Sequence, residues 1–242
     1  MIDQLQVYIR EEPLRFPQSV ELIAMLLFSL SGVIAAMRRG YDAVGVFILA
    51  LVTGAGGGLI RDGLFLQQGP PALTQNWRLL PGVVGACVVG WILHGWIERW
   101  QKAIAVFDAV GLGIFSMVGL LKAIEAGLTV PASLLVGVVN AVGGGLLRDL
   151  FTGEEPLLFK PGQFYVLAAC VGCALFVCLA YKSALSPRHA ERISMATIFG
   201  LRILAIIFNW RTTPLQPWFK ISPTAEAIAS GQPSGEDRQK GL

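Results

Sequence analysis

Residues 56–62 read Gly-Gly-Gly-Leu-Ile-Arg-Asp, and residues 143–149 read Gly-Gly-Gly-Leu-Leu-Arg-Asp. Each stretch lies within a long apolar run, so one unusual combination of glycines and charges enters a hydrophobic segment twice. A shift of 87 positions carries residues 20–62 onto 107–149 without a gap. Phe28-Ser29 then falls on Phe115-Ser116, Gly32 on Gly119, Ala36 on Ala123, Gly40 on Gly127 and Glu21 on Asp108. Apolar helices match one another easily by chance. A glycine triplet followed by Arg-Asp, preceded each time by an acid at the same distance, does not, and the chain is an internal duplication.

The duplicated units belong in a membrane. Of 242 residues, 54% are hydrophobic and 14% charged, against roughly 25% charged in soluble domains. Apolar runs approaching the roughly 20 residues needed to cross a bilayer fall near 18–37, 43–66, 79–98, 104–124, 131–152, 163–183 and 191–209. Gly, Pro and charge punctuate them, as at Arg38-Arg39-Gly40 and Glu154-Glu155-Pro156, because such residues end an apolar helix. Most of the six tryptophans lie near span ends, where indole favours the water–lipid boundary.

The expected fold is an all-α integral membrane protein with seven transmembrane helices, arranged as two three-helix repeats and a seventh helix. Three crossings per repeat make the second copy enter from the opposite side, so the repeats are inverted about an axis in the membrane plane. The expected boundaries are an N-terminal segment 1–17, a first repeat 18–98, a second repeat 104–183, a seventh helix 191–210 and a tail 211–242. That tail is rich in Ser, Gly, Glu and Gln and is expected to be disordered. The N-terminal residues carry acids and no cationic stretch before an apolar core, so the first span is expected to serve as its own insertion signal. The positive-inside rule favours a cytoplasmic C-terminus, although the Lys and Arg counts on the two sides nearly tie.

Other classes find little support. No basic block interleaved with aromatics suggests nucleic acid. The string Gly-Ala-Gly-Gly-Gly-Leu-Ile-Arg-Asp lacks the lysine and the preceding strand of a phosphate-binding loop. His94 and His189 have no nucleophile or acid at catalytic spacing. Cys170 and Cys173 form a C-x-x-C pair without further Cys or His to complete a zinc set, and the four cysteines are expected to pack as small apolar residues. No enzyme, metal or cofactor is expected.

The residues that carry chemistry are polar ones inside the spans. Gly56, Gly57, Gly58, Gly143, Gly144 and Gly145 admit two readings. Their helices break there and offer backbone polar groups to a permeating species, which must then be buried or line a wet path; or small residues let two helices approach closely. Arg61, Asp62, Arg148 and Asp149 must find partners, since an unpaired charge in hydrocarbon costs about 3 kcal/mol or more. Adjacent helical residues diverge by about 100 degrees, so the expected pairs cross the repeats, Arg61 with Asp149 and Arg148 with Asp62, as a structural latch or as ion ligands. Glu21 and Asp108 are either acids favoured by a helix N-terminus or cation-attracting acids at the mouths of a pathway. Lys122 has Ala35 as its repeat equivalent, and either snorkels or tunes a pore. Ser29, Thr53, Ser116 and Asn140 are candidate pore-lining residues.

Two copies of Gly-Gly-Gly-x-x-Arg-Asp, each preceded by a helix with an acid and a Phe-x-x-x-Gly step, resemble the prokaryotic trimeric intracellular cation (TRIC) channel family. Its sequences have also been grouped as an uncharacterised membrane family and labelled a glycine transporter domain. The resemblance spans roughly residues 18–210 and includes Leu201-Arg202-Ile203-Leu204-Ala205-Ile206 and Asn209-Trp210 of the last span. It implies a homotrimer in a bacterial inner membrane, in contact with lipid, with one pore per protomer passing K⁺ or Na⁺ through helices kinked at the glycines. Leu59 departs from the family pattern, which more often has Thr after the first triplet. A monovalent cation channel is therefore expected. The alternatives are a carrier of glycine or another small zwitterion, and a non-transporting membrane scaffold.

Overall fold

The computed structural model describes residues 18–93, 95, 103–160, 164–182 and 185–210. The N-terminal segment 1–17, the tail 211–242 and the end of the third span lie outside the described residues. All regular structure among the described residues is helical: α1 (Gln18–Arg38), α2 (Ala43–Ile60), α3 (Ala72–Gln75), α4 (Leu79–Ile92), α5 (Ala103–Glu125), α6 (Val130–Thr152), α7 (Tyr165–Lys182) and α8 (Pro187–Phe208). A π-helical segment, Arg61–Leu66, continues α2.

Among the described residues, four segments are long and apolar enough to cross a membrane: Ser19–Arg38, Ala43–Leu66, Ile104–Glu125 and Val130–Thr152. They coincide with the first two spans of each repeat. Leu79–Ile92 and Tyr165–Tyr181 are shorter apolar helices. Helix α8 takes the place of the seventh span and carries Arg188, Glu191, Arg192 and Arg202.

The duplication is visible in how the chain turns. Gly40 (φ +71°) ends α1 and Gly127 (φ +86°) ends α5. The same two bonds close each turn: Gly40 N–H to Met37 O and Tyr41 N–H to Ala36 O, then Gly127 N–H to Ile124 O and Leu128 N–H to Ala123 O. This is the Schellman arrangement, whose left-handed residue suits glycine because it has no Cβ. Asp42 then caps α2 by accepting from Gly45 N–H at 2.8 Å, and Thr129 caps α6 by accepting from Ala132 N–H at 3.4 Å. A side-chain oxygen at this position satisfies an amide that the helix leaves unbonded.

Helices α1, α2, α5 and α6 form the centre. Within a repeat α1 packs on α2 and α5 on α6; between repeats α2 meets α6 and α1 meets α5. Helix α4 covers α1 and α2, α7 covers α5 and α6, and α8 rests on α5 and α7. The central contacts are reciprocal between the repeats, and one of them joins a residue to its own equivalent. Phe28 and Phe115 stack with ring centroids 5.4 Å apart, as residues on a two-fold axis do.

The glycine triplets mark the α2–α6 crossing, and neither helix breaks there. Helix α2 is continuous through Gly56–Gly58, and α6 through Gly143–Gly145. A Cβ on Gly57 would collide with the carbonyl oxygen of Asn140, and one on Gly144 with that of Thr53. Thr53 and Asn140 are repeat equivalents, so the contact is reciprocal. The expected helix break is thus replaced by close packing. Small residues let two backbones approach to van der Waals distance in a membrane, where apolar burial against lipid gains little. The departure from α-geometry comes one turn later, at Arg61–Leu66, and in the first repeat only.

Substituting Ala for Gly57 or Gly144 should therefore destabilise the protein by about 1–3 kcal/mol through overpacking. Gly85→Ala and Gly200→Ala, whose added Cβ would meet nothing within 4 Å, should be neutral or stabilising by up to about 1 kcal/mol. Thermal unfolding of the four variants in detergent measures the contrast.

Candidate functional site

A guanidinium buried in an apolar bundle must be surrounded by acceptors, and each repeat supplies them from its first two helices. Arg61 is fully buried. Its Nε donates to Asp62 Oδ1 at 2.6 Å and its Nη2 to Asp62 Oδ2 at 3.0 Å. Nη1 and Nη2 each reach Glu21 Oε1 at 3.3 Å, and Nη1 also reaches Asn140 Oδ1 at 3.4 Å. Arg148, 2% exposed, repeats the design. Its Nε donates to Asp149 Oδ1 at 2.9 Å, and its Nη1 to both oxygens of Asp108 at 2.7 and 2.8 Å. Nη1 also meets Ser31 Oγ at 3.0 Å.

The pairs differ from those expected. Each arginine forms its ion pairs within its own repeat, with its sequence neighbour and with the acid of the preceding helix, instead of with the Asp of the other copy. The arginine stem is long enough to turn its fork back onto the adjacent carboxylate, so the divergence of neighbouring Cβ directions does not forbid the pair. Glu21 and Asp108 are therefore arginine partners, beyond being acids near a helix start. Each neighbouring Asp has a second duty. Asp62 Oδ2 accepts from Ala72 N–H at 3.0 Å and Asp149 Oδ2 from Leu157 N–H at 3.0 Å, which ties the chain leaving the second helix back to the centre.

The repeats join through polar contacts of another kind. Lys122 on α5 donates to both oxygens of Glu21 on α1 at 3.0 Å. Asn140 links the first centre to α5, its Nδ2 donating to Phe115 O at 2.7 Å. At the surface Arg39 and Glu154 pair at 3.1 Å.

Of the other residues picked out in the sequence, Thr53 and Ser116 are buried and donate to their own helices, to Leu49 O at 2.6 Å and Leu112 O at 2.7 Å. Ser29 is buried, and its hydroxyl has no partner in the structure. Cys170 and Cys178 are exposed while Cys173 is buried, its thiol 3.9 Å from Ser116 O. Sequence reasoning missed Ser31, whose repeat equivalent is Val118, together with the buried Tyr165 and Arg202. Arg202 sat inside the seventh span as a charge in an apolar run, which was the available signal.

The two centres are unequal. Asp108, Arg148 and Asp149 are sealed, whereas the side chains of Glu21 and Lys122 are 22% and 35% exposed. A polar recess of about 710 Å³, lined by Asp62, Gln68, Gln75, Lys122 and Glu125 among others, opens beside the first centre. A smaller, largely apolar recess of about 450 Å³ reaches Glu21, Gly58 and Arg61 between α1, α2 and α4. The arrangement sets buried carboxylate–guanidinium pairs next to an open polar recess.

Comparison with known proteins places this geometry. The family model described as "Glycine transporter" matches the chain twice, over residues 18–94 and 105–181. A UPF0126 membrane protein of Deinococcus radiodurans is 34% identical over 154 residues, covering 63% of this chain and 71% of that protein. The UPF0126 membrane protein YvgT of Bacillus subtilis is 30% identical, covering 79% of this chain and 93% of its own length. The UPF0126 inner membrane protein YadS of Escherichia coli K12 is 29% identical, with 77% and 90% covered. Among solved structures, the TRIC trimeric intracellular cation channel orthologue from Rhodobacter sphaeroides superposes with a TM-score of 0.73 at 29% identity, covering 78% of this chain and 96% of that one. A prokaryotic TRIC channel in 0.5 M KCl gives a TM-score of 0.71 at 27% identity, with 79% and 96% covered.

Removing one partner of a buried pair leaves an uncompensated charge and should cost about 3–5 kcal/mol, so Asp108→Ala is expected to destabilise severely. Arg39→Ala, which breaks an exposed pair, should cost less than about 1 kcal/mol. Double-mutant cycles complete the test. Arg148 with Asp108 should couple strongly, whereas Arg61 with Asp149 should show additive effects in chemical unfolding.

Proposed function

The chain belongs to the UPF0126 membrane protein family, the one described as glycine transporter and sharing its fold with TRIC channels, and from that premise we propose that it conducts K⁺ and Na⁺. The observation that carries this reading is the pair of buried carboxylate–arginine centres on the first two helices of each repeat, one of them beside a polar recess. Carboxylates held ionised inside a membrane attract cations and disfavour anions. Their own arginine and lysine partners occupy them as internal counter-ions, so a permeating cation competes with a tethered one and is not held tightly.

The pathway in this reading runs within the protomer, beside the glycine crossing, from the recess at Asp62 and Lys122 past Glu21 toward Asp108 on the opposite side. Ser29, Thr53, Ser116 and Asn140 supply its polar edges. The crossing itself is too close for a side chain and serves as the pivot about which α2 and α6 lean. By likeness to the TRIC structures, the working assembly is a homotrimer with a pore in each protomer. The likeness to a relative named as an inner membrane protein supports a bacterial inner membrane, and the distribution of Lys and Arg leans toward a cytoplasmic C-terminus.

A carrier of glycine would need a free guanidinium for the substrate carboxylate. Both fork arginines are already engaged by two carboxylates each, which favours the channel.

Purified protein in planar bilayers under a KCl gradient should show discrete ohmic currents that reverse near the K⁺ equilibrium potential. Silence in the bilayer, with saturable glycine uptake into liposomes, would replace this reading with the carrier. In the conducting protein, Glu21→Gln should lower cation over anion selectivity, measured as a reversal-potential shift toward zero.

A further inference from the structure

The first centre contains two carboxylates, Glu21 and Asp62, and two cations, Arg61 and Lys122. The second holds two carboxylates, Asp108 and Asp149, in direct contact with Arg148. The duplication gave it no copy of the lysine, because the repeat equivalent of Lys122 is Ala35. Two buried carboxylates against one arginine would leave a net negative charge in a sealed, low-dielectric place, which is costly.

Helix α8, which has no repeat counterpart, brings a charge to this end. Arg202 is fully buried, and its guanidinium carbon lies 4.9 Å from the centroid of the Tyr165 ring. Tyr165 is itself buried. Its hydroxyl lies 2.9 Å from where a Cβ on Gly145 would stand, and the same point is 3.7 Å from Arg148 Nη2. The ring thus meets Arg202, and its hydroxyl comes near Arg148 beside Gly145. It lies within electrostatic reach of Asp108, Arg148, Asp149 and Arg202, and Arg202 acts on Asp108 as well. Helix α8 rests on α5, which bears Asp108, and on α7, which bears Tyr165. The negative face of an aromatic ring attracts a guanidinium, and here it seats Arg202.

We propose that Arg202, seated on Tyr165, is the second cation of the Asp108–Arg148–Asp149 centre and sets the charge at that end of the pathway as Lys122 does at the other. This rests on the channel reading. Because the repeats are inverted, the two centres face opposite sides of the membrane. Neutralising Lys122 leaves one net negative charge toward one side, and neutralising Arg202 leaves one toward the other. A fixed charge near a mouth concentrates counter-ions there and favours their entry.

The test is current–voltage asymmetry of the full-length protein in symmetric KCl, with insertion sidedness fixed by adding protein to one chamber and checked by protease access. Arg202→Gln and Lys122→Gln should each change the ratio of currents at opposite voltages by about two-fold or more, in opposite senses. Arg202→Lys should restore the ratio lost in Arg202→Gln, which a merely space-filling role would not do. An unchanged ratio in Arg202→Gln, or rectification in the same sense as Lys122→Gln, overturns the proposal. Should Arg202→Gln fail to fold, Arg202→Gln with Asp149→Asn removes the excess charge and should recover monodisperse protein; failure to recover counts against it. A silent wild-type protein sinks the channel reading instead, since no ratio can then be formed.

Discussion

An arginine in a membrane bundle constrains everything around it, because its charge cannot be surrendered and its five donors cannot face lipid. Each repeat meets that demand with an acid from the preceding helix and an acid beside the arginine. Glu21 and Asp108 thereby fix α1 against α2 and α5 against α6 in register, since each must reach a fork two spans' length away in sequence. The adjacent Asp spends its remaining oxygen on a backbone amide, Ala72 or Leu157. One charge thus positions two helices and the chain that leaves them.

The glycine triplets make sense as the other half of this constraint. Gly57 and Arg61 are four residues apart and share a helix face, so the surface that admits α6 most closely also carries the arginine. Gly57 meets the Asn140 carbonyl, and Arg61 reaches the Asn140 side chain. The second repeat makes the same approach at Thr53, but the threonine hydroxyl is turned to its own helix at Leu49 O, and Arg148 takes Ser31 instead. One exchange, Thr53 for Asn140, thus redirects a polar contact across the crossing.

Much of this was legible in the sequence because it depends on local rules. The glycine stop and the apolar run place the first two spans of each repeat to within a residue or two, and the period of 87 gives the two-fold relation. The arginine partners are not legible in this way, because Cβ directions point neighbouring side chains apart and a side chain as long as arginine is not bound by them. The glycines were ambiguous for a different reason. A triplet reports that something needs the absent Cβ, and only the opposing backbone tells whether that is a neighbour or a break. The π-helical Arg61–Leu66 had no clear signal beyond Gly63, since the second repeat carries the same Arg-Asp without it.

An inverted repeat with identical halves would present the same chemistry to both sides of the membrane. Here a few positions abolish that equality: Lys122 against Ala35, Asn140 against Thr53, and Ser31 against Val118. The first centre is left partly exposed beside its recess, and the second is buried. An unrepeated helix would be idle in a structure whose repeats close on themselves. Among the described residues its main contacts fall on α5 and α7, so it completes the end that holds the second centre. The symmetry builds the crossing on which both ends turn, and the departures from it make the two ends chemically distinct.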